Sequence, residues 1–405
     1  VGLREAAFPG AVLLVAKDGD IVLERAYGYT DSGRTRHVSA DSTLYDLASV
    51  SKIAGTLPGI MKAADAGMLD LSAPAARYIP GLRKPGRDSI TLRQMLLHES
   101  GFPAGISSAA VVTDSNSYTG RLVSARPTRD NTIKLARRAY ANRHARLRTD
   151  ITSHVHTAST PWQIAPALWV GPATLDTLME RIYNVPLREP VYRYSDLNFA
   201  LLMDAEQRAT GIPHEKWVDR EIFAPLGAWR TAYRPLQRFK STEIAATEHD
   251  RWLRKATLRG YVHDELAAYS GGIQGNAGLF STAGDLAKLG QMWLNGGTYG
   301  GDRLLSEATV RQFITTRSDI SRRALGFDAP DTENPDSSPT TPDAHPSTIG
   351  HLGFTGTCMW IDPSRNLIFI FLTNRVNPSR ENPVWDALDI RPALFSAILS
   401  SLPKR

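Results

Sequence analysis

The sequence predicts an α/β (α+β) fold. One antiparallel sheet is built from both ends of the chain and flanked by helices, with a mostly helical lobe inserted between the ends. The prediction rests on three features. Strand-like apolar runs lie near both termini, apolar positions at helical spacing dominate the middle, and the texture changes between about 106 and 187. The implied division is residues 1–75 and 265–405 for the sheet domain, and 76–264 for a mostly helical domain with an extended insertion at about 106–187. A chain of 405 residues is long enough for two such lobes.

Taken in order, Phe8–Ala16 reads as a buried strand, Lys17–Asp20 as a hairpin turn and Ile21–Gly28 as the return strand. Ile53, Leu57, Ile60, Met61 and Ala64 keep helical spacing up to Gly67, and Pro58 should kink that helix. Leu92–Gly101 reads as a short helix closed by its glycine, with His98 a structural hydrogen-bonding group rather than a catalytic one. The stretch Arg121–Arg148 carries nine Lys or Arg residues against the single acid Asp130. As a helix it would be a solvated basic face, or a recognition surface for an anion or a membrane. His154 and His156 have no carboxylate or cysteine beside them to complete a metal set. Pro190–Phe199 leads into a helix that ends before Gly211, another helix runs from Glu215 to Phe223, and Thr282 caps one that reaches about Leu294. Glu333–Pro346 is a polar loop. Two strands, His351–Ile361 and Leu367–Asn374, complete the sheet before a final helix from Pro392 to Leu402.

Composition narrows the function. The net charge of +6 is mild for this length and far from a nucleic-acid-binding signature. No apolar run reaches 18 residues, so no membrane span is expected. Cys358 is the single cysteine and sits in an apolar run, as a small core residue would. His-Glu-x-x-His, paired Cys-x-x-Cys and a dinucleotide fingerprint are all missing, so no cofactor or metal is implied.

The candidate chemistry begins at Ser49-Val50-Ser51-Lys52. A serine at the first turn of a helix has a backbone N–H free to face a substrate oxygen, and a lysine three residues on shares its face. Alone, the tetrad equally describes an N-cap serine and a surface lysine. Two further stretches come after it in order, Tyr194-Ser195-Asp196 and His351-Leu352-Gly353. With Leu96–Gly101, Gly275–Thr282 and Gly353–Thr357 they carry a resemblance to the serine β-lactamase and penicillin-binding-protein superfamily, most closely its class C-like esterase and peptidase branch. The resemblance covers nearly all of the chain except about 106–187, for which the family offers no role.

The resemblance implies a β-lactamase/transpeptidase-like fold and a serine hydrolase acting through an acyl-Ser49 intermediate. Lys52 and Tyr194 would share the proton taken from Ser49, and His351 would complete the catalytic set. The backbone amides of Ser49 and Phe354 would bind the oxyanion, while Asp196, Leu352 and Gly353 would contact substrate. Which of Lys52 and Tyr194 is the base stays open at this point. Departures from the family pattern bear on the substrate. Leu352 supplies no hydroxyl, His351 is not a fixed cation, and Asp196 stands where many relatives carry Asn. A substrate carboxylate is then poorly served, and small uncharged acyl substrates, esters or amides, are favoured. Asp196 could instead turn away and cap its helix. Acyl transfer to an amine or alcohol, β-lactam or D-alanyl peptide hydrolysis, and a non-catalytic penicillin-binding sensor are the alternatives. The resemblance leans toward a periplasmic or secreted setting, with the cytoplasm open.

Overall fold

The computed structural model describes residues 1–402. Strands from the two chain ends pair with each other. β1 (Gly10–Lys17), β2 (Asp20–Gly28), β3 (Ile349–Leu352), β4 (Cys358–Asp362) and β5 (Leu367–Thr373) form one antiparallel sheet in the order β3-β4-β5-β1-β2. Leu14 lies opposite Ile370 in the central β1–β5 pair. Five helices frame the sheet and the candidate site: α1 (Leu57–Asp65), α2 (Leu92–Leu96), α3 (Asp196–Thr210), α4 (Ala283–Leu294) and α5 (Ile390–Ser401).

Period-two alternation divides the sheet into two buried faces. Val12, Leu14, Ile368, Ile370 and Leu372 join the main core, which includes α4 residues. Leu13, Val15, Trp360, Phe369 and Phe371 form a second, smaller core, closed by Trp385 and by Phe395 of α5. Both faces being covered explains why β1 and β5 read as continuous apolar runs.

Four expectations need correction. The stretch His351–Ile361 is not one strand but the ends of β3 and β4, reversed through Gly353–Thr357. Gly356 at φ 102° and a Gly356 N–H bond to the Gly353 carbonyl make the reversal. The Leu92–Gly101 helix ends at Leu96, because His98 and Gly101 take left-handed conformations at φ 60° and 80°. The kink expected at Pro58 lies upstream as five residues of wide π-type turn, Lys52–Thr56, since Pro58 cannot donate to the preceding turn.

The fourth correction concerns the basic stretch, which is not a helix. Val123–Ser124, Ala139–Asn142 and Asn131–Ala136 form a three-stranded sheet. Thr152–Ser153, Leu168–Val170 and Trp162–Ala165 form another, and Thr113–Asp114 pairs with Arg146–Leu147. Ile133 and Leu135 are less exposed than Thr132 and Lys134 beside them, the alternation of a strand with one solvated face. The helices Ser108–Val112 and Pro172–Asn184 bracket this β-rich segment. No helix among the described residues is long and apolar enough to cross a membrane.

Candidate active site

Ser49 is presented by a tight one-turn helix, Ala48–Val50, whose first residue is held at φ 47°. Such a conformation is strained for alanine and persists only where the surroundings over-determine it. They do so here. Asp46 accepts the Ala48 N–H at 2.9 Å and the His263 N–H at 2.7 Å through its two oxygens. The Leu47 N–H donates to the Leu279 carbonyl. From the β3–β4 turn, the Thr355 hydroxyl donates to the Asp46 carbonyl at 2.8 Å and the Thr357 hydroxyl to the Leu47 carbonyl at 2.9 Å. A Cβ at Gly353 would fall 2.0 Å from Thr357 Oγ1 and 2.5 Å from the Leu47 carbonyl, so only glycine fits between turn and nucleophile loop. These bonds fix Phe354 relative to Ser49. The backbone N–H groups of both residues have no hydrogen-bond acceptor among the described residues.

The three sequence motifs converge. Lys52 Nζ lies 3.0 Å from Ser49 Oγ, and Tyr194 Oη lies 2.9 Å from the same oxygen. Lys52 is fully buried and also donates to Asp196 Oδ1 at 2.6 Å and to the Asn276 carbonyl at 3.2 Å. Three acceptors around one nitrogen match the three hydrogens of an ammonium. Burial pulls the Lys52 pKa down, but the Asp196 carboxylate and the Tyr194 oxygen outweigh it, and the net direction is up. Tyr194 is also raised. Burial and the Asp196 charge push the phenol up, against the opposing pull of Lys52.

Asp196 does not cap its helix. Ser195 occupies the N-cap position of α3, and the Asp196 side chain instead pairs with Lys52 while keeping about 31% of its surface exposed. Its second oxygen makes no hydrogen bond among the described residues. His351, on β3, has its ring 5.8 Å from that of Tyr194. Its Nδ1–H donates to the Leu352 carbonyl at 2.7 Å, leaving Nε2 buried, unprotonated and unpartnered. Burial, then the charges of Arg323 and Lys52, bring its pKa down to about 3, so the ring is neutral across the working range. Leu352 is half-buried, Gly353 donates to the Thr357 carbonyl, and Phe354 is exposed, with its ring against His263 and beneath the Arg375 guanidinium.

Two further residues at the site, Arg323 and Asp264, carry no mark in the sequence, while His98 is the structural hydrogen-bonding group that the sequence suggests. His98 accepts the Ser195 N–H through Nδ1 at 3.1 Å and packs its ring 4.8 Å from Tyr194, so it orients the phenol from behind. Arg323 is buried with its guanidinium 5.2 Å from the Tyr194 ring centre. It bonds Tyr192 and Asp328, and its Nη1 has no partner. Asp264 accepts the Asn276 amide at 3.1 Å, and burial with the nearby Asp196 charge pushes its pKa up to about 6. No local signal distinguishes Arg323, whose partner Tyr192 lies 131 positions away. Cys358 is buried in β4, its thiol pushed up to about 12. No group of three His, Cys, Asp or Glu residues among those described could hold a metal ion.

Comparison with known proteins bears on the family and the fold. The family model described as Beta-lactamase matches residues 2–391. A protein of Salmonella schwarzengrund (strain CVM19633) named putative D-alanyl-D-alanine carboxypeptidase is 30% identical over 404 residues, covering 94% of this chain and 82% of its own. Among solved structures, the octameric penicillin-binding protein homologue from Pyrococcus abyssi superposes with a TM-score of 0.63 at 17% identity, over 98% of this chain and 75% of the other. A class C β-lactamase from Rhodobacter sphaeroides gives 0.61 at 19%, over 98% and 97%. EstCE1, a hydrolase with promiscuous acyltransferase activity, gives 0.61 at 18%, over 96% and 95%. At these identities the structures share the fold.

Proposed function

The chain belongs to the β-lactamase family of serine hydrolases, and from that premise we propose that it hydrolyses small uncharged esters or amides through an acyl-enzyme on Ser49. The observation that carries the reading is one oxygen, Ser49 Oγ, held within 3.0 Å of both a lysine nitrogen and a tyrosine oxygen. Lys52 stays an ammonium, and the ionised form of Tyr194 takes the Ser49 proton as Oγ attacks the carbonyl carbon. The Ser49 and Phe354 amides receive the oxyanion. The proton then passes from Tyr194 to the departing alcohol or amine as that bond breaks. Water attacks acyl-Ser49 by the reverse sequence and releases the acid. His351 is neutral and Leu352 apolar, so neither offers a substrate carboxylate a charge or a hydroxyl. The Asp196 carboxylate at the pocket wall repels one.

The test is a substrate panel under one set of conditions: a p-nitrophenyl ester, nitrocefin and an acyl-D-alanyl-D-alanine peptide. Ester turnover is expected to exceed the other two by about tenfold or more, the scale of one mispaired charged group. Nitrocefin or peptide turnover at rates equal to the ester overturns the substrate assignment.

A second reading, D-alanyl carboxypeptidase, is favoured by the name of the 30% identical Salmonella relative and by the unpartnered Nη1 of Arg323 beside Tyr194. Against it, Asp328 pairs with Arg323, but it is shared with Arg322 and offsets the Arg323 charge only in part. Preference for the peptide in the same panel would establish it. An amine added to the ester reaction reads acyl transfer, through a new amide product.

A further inference from the structure

Away from Ser49, the β-rich insertion closes a cavity against the rest of the fold. It measures about 300 Å³ and lies between the sheet formed by Trp162–Ala165, Leu168–Val170 and Thr152–Ser153 and the segments around Arg234, Tyr261 and Gly272. Trp162, Gln163, Trp169 and His156 line it from the insertion, and Arg234 and Tyr261 from the opposite wall.

Arg234 is the informative residue. It is half-buried, and its backbone is held at φ 47° directly after Tyr233, which pairs with Leu279. Nε donates to the Gly271 carbonyl at 2.6 Å, and the guanidinium lies 5.1 Å above the Trp162 ring. A Cβ at Gly271 would fall 2.4 Å from Trp162 and 3.0 Å from Arg234 Nη2, so the loop is pressed against both. The two terminal nitrogens of Arg234 have no hydrogen-bond acceptor among the described residues, and none of the described carboxylates lies within ion-pair distance. Glu215 favours the charge only from further off. Burial therefore lowers the Arg234 pKa without a local counter-charge. By contrast, the terminal nitrogens of the buried Arg254 end on the Val262 and His263 carbonyls. A half-buried, pre-oriented guanidinium fork backed by an indole, with tryptophan and tyrosine walls, is the arrangement that receives an oxyanion on a flat apolar body.

We infer that this cavity is a second ligand site, separate from Ser49, for a small organic anion. Its carboxylate or phosphate head binds Arg234, and its flat body lies against Trp162, Trp169 and Tyr261. The insertion thereby acquires a task, since it supplies one whole wall of the site. The site also adjoins Gly271–Gly272, in the loop whose Asn276 carbonyl holds Lys52.

The test uses the intact chain and three probes: 3-phenylpropionate, phenyl phosphate and the neutral 3-phenylpropionamide, titrated by calorimetry and tryptophan fluorescence. One-site saturable binding is expected for at least one anion, with the amide weaker by about tenfold, the value of a charge-assisted hydrogen bond. The better of the two anions identifies the head group. Trp162→Leu should weaken the anion about tenfold while p-nitrophenyl ester turnover stays unchanged, which separates this cavity from the Ser49 pocket. Arg234→Gln should erase the difference between acid and amide. Failure of both anions to bind, equal affinity for acid and amide, or anion binding untouched in Trp162→Leu overturns the inference, and the acid–amide comparison stands on the unmodified protein alone.

Discussion

Around Ser49 the chain is tied by bonds between distant segments. Thr357 reaches Leu47 across 310 positions, Tyr194 reaches Ser49 across 145 and Lys52 reaches Asp196 across 144. Between 113 and 170 most ties are local. Asn131 bonds the carbonyls of Arg121, Leu122 and Tyr140, and Asn142 bonds that of Thr119, none more than 23 positions off. One region is cross-braced by the whole fold, and the other holds short strands of two to six residues by mostly local side-chain bonds, with Ala141, Ile164, Leu168 and Val170 packed into the main core. The difference implies that chemistry and local stability can be perturbed separately, and substitutions on either side probe that separation.

The largest effects belong to the braced region. Ser49→Ala should lower ester kcat/KM by about 10³-fold or more, and Lys52→Ala or Tyr194→Phe by about 10²–10⁴-fold, with the melting temperature little changed for Tyr194→Phe. Steady-state ester kinetics on folded variants checks this. Thr357→Val keeps the side-chain shape but removes the bond to the Leu47 carbonyl. The expected outcome is a fall in kcat of about tenfold with KM nearly constant, because the oxyanion amides lose register. A larger KM with constant kcat would place Thr357 in substrate binding instead.

A subtler effect separates charge from position. Asp196 raises the proton affinity of both Lys52 and Tyr194. The active state has lost one proton from that pair, so the ester rate climbs with pH. Asp196→Asn removes the raising influence, and the ascending limb of kcat/KM should move to lower pH. Because the His351 pKa is down at about 3, no limb near neutrality arises from it. A pH-rate profile of the two proteins reads the shift directly. The smallest effect on catalysis lies in the insertion. Asn131→Ala removes the amide that bonds the Arg121, Leu122 and Tyr140 carbonyls, costing about 1 kcal/mol locally because Asn142 still donates to the first two. Amide exchange across 121–142 should accelerate while ester turnover stays within about twofold. A large loss of turnover would mean that the two regions are coupled.

The same contrast explains what is legible in the sequence. The paired terminal strands are legible, and so are the candidate residues Ser49, Lys52, Tyr194 and His351 that the fold brings together. Long apolar runs and chemically loaded tetrads survive as local patterns. The insertion reads as a basic helix because strands this short fall below the window in which period two outweighs composition. Its turn at Arg137-Arg138 also carries no glycine or proline to announce it. The β3–β4 reversal is hidden inside an apolar run whose Gly353 and Gly356 serve equally as motif and as turn. Arg323 and Asp264 gain their meaning only from neighbours that the fold supplies, whereas the structural role of His98 is legible. Asp196 stands out in the sequence, but its pairing with Lys52 needs the geometry.

The central claim is a covalent bond on one hydroxyl. Intact-mass spectrometry during turnover of a p-nitrophenyl ester, followed by mapping of the modified peptide, tests it most directly. The account predicts an added acyl group on the peptide containing Ser49 that appears with the first turnover, clears as ester is exhausted and is missing in Ser49→Ala. Turnover with no adduct, or an adduct on any other residue, would contradict it.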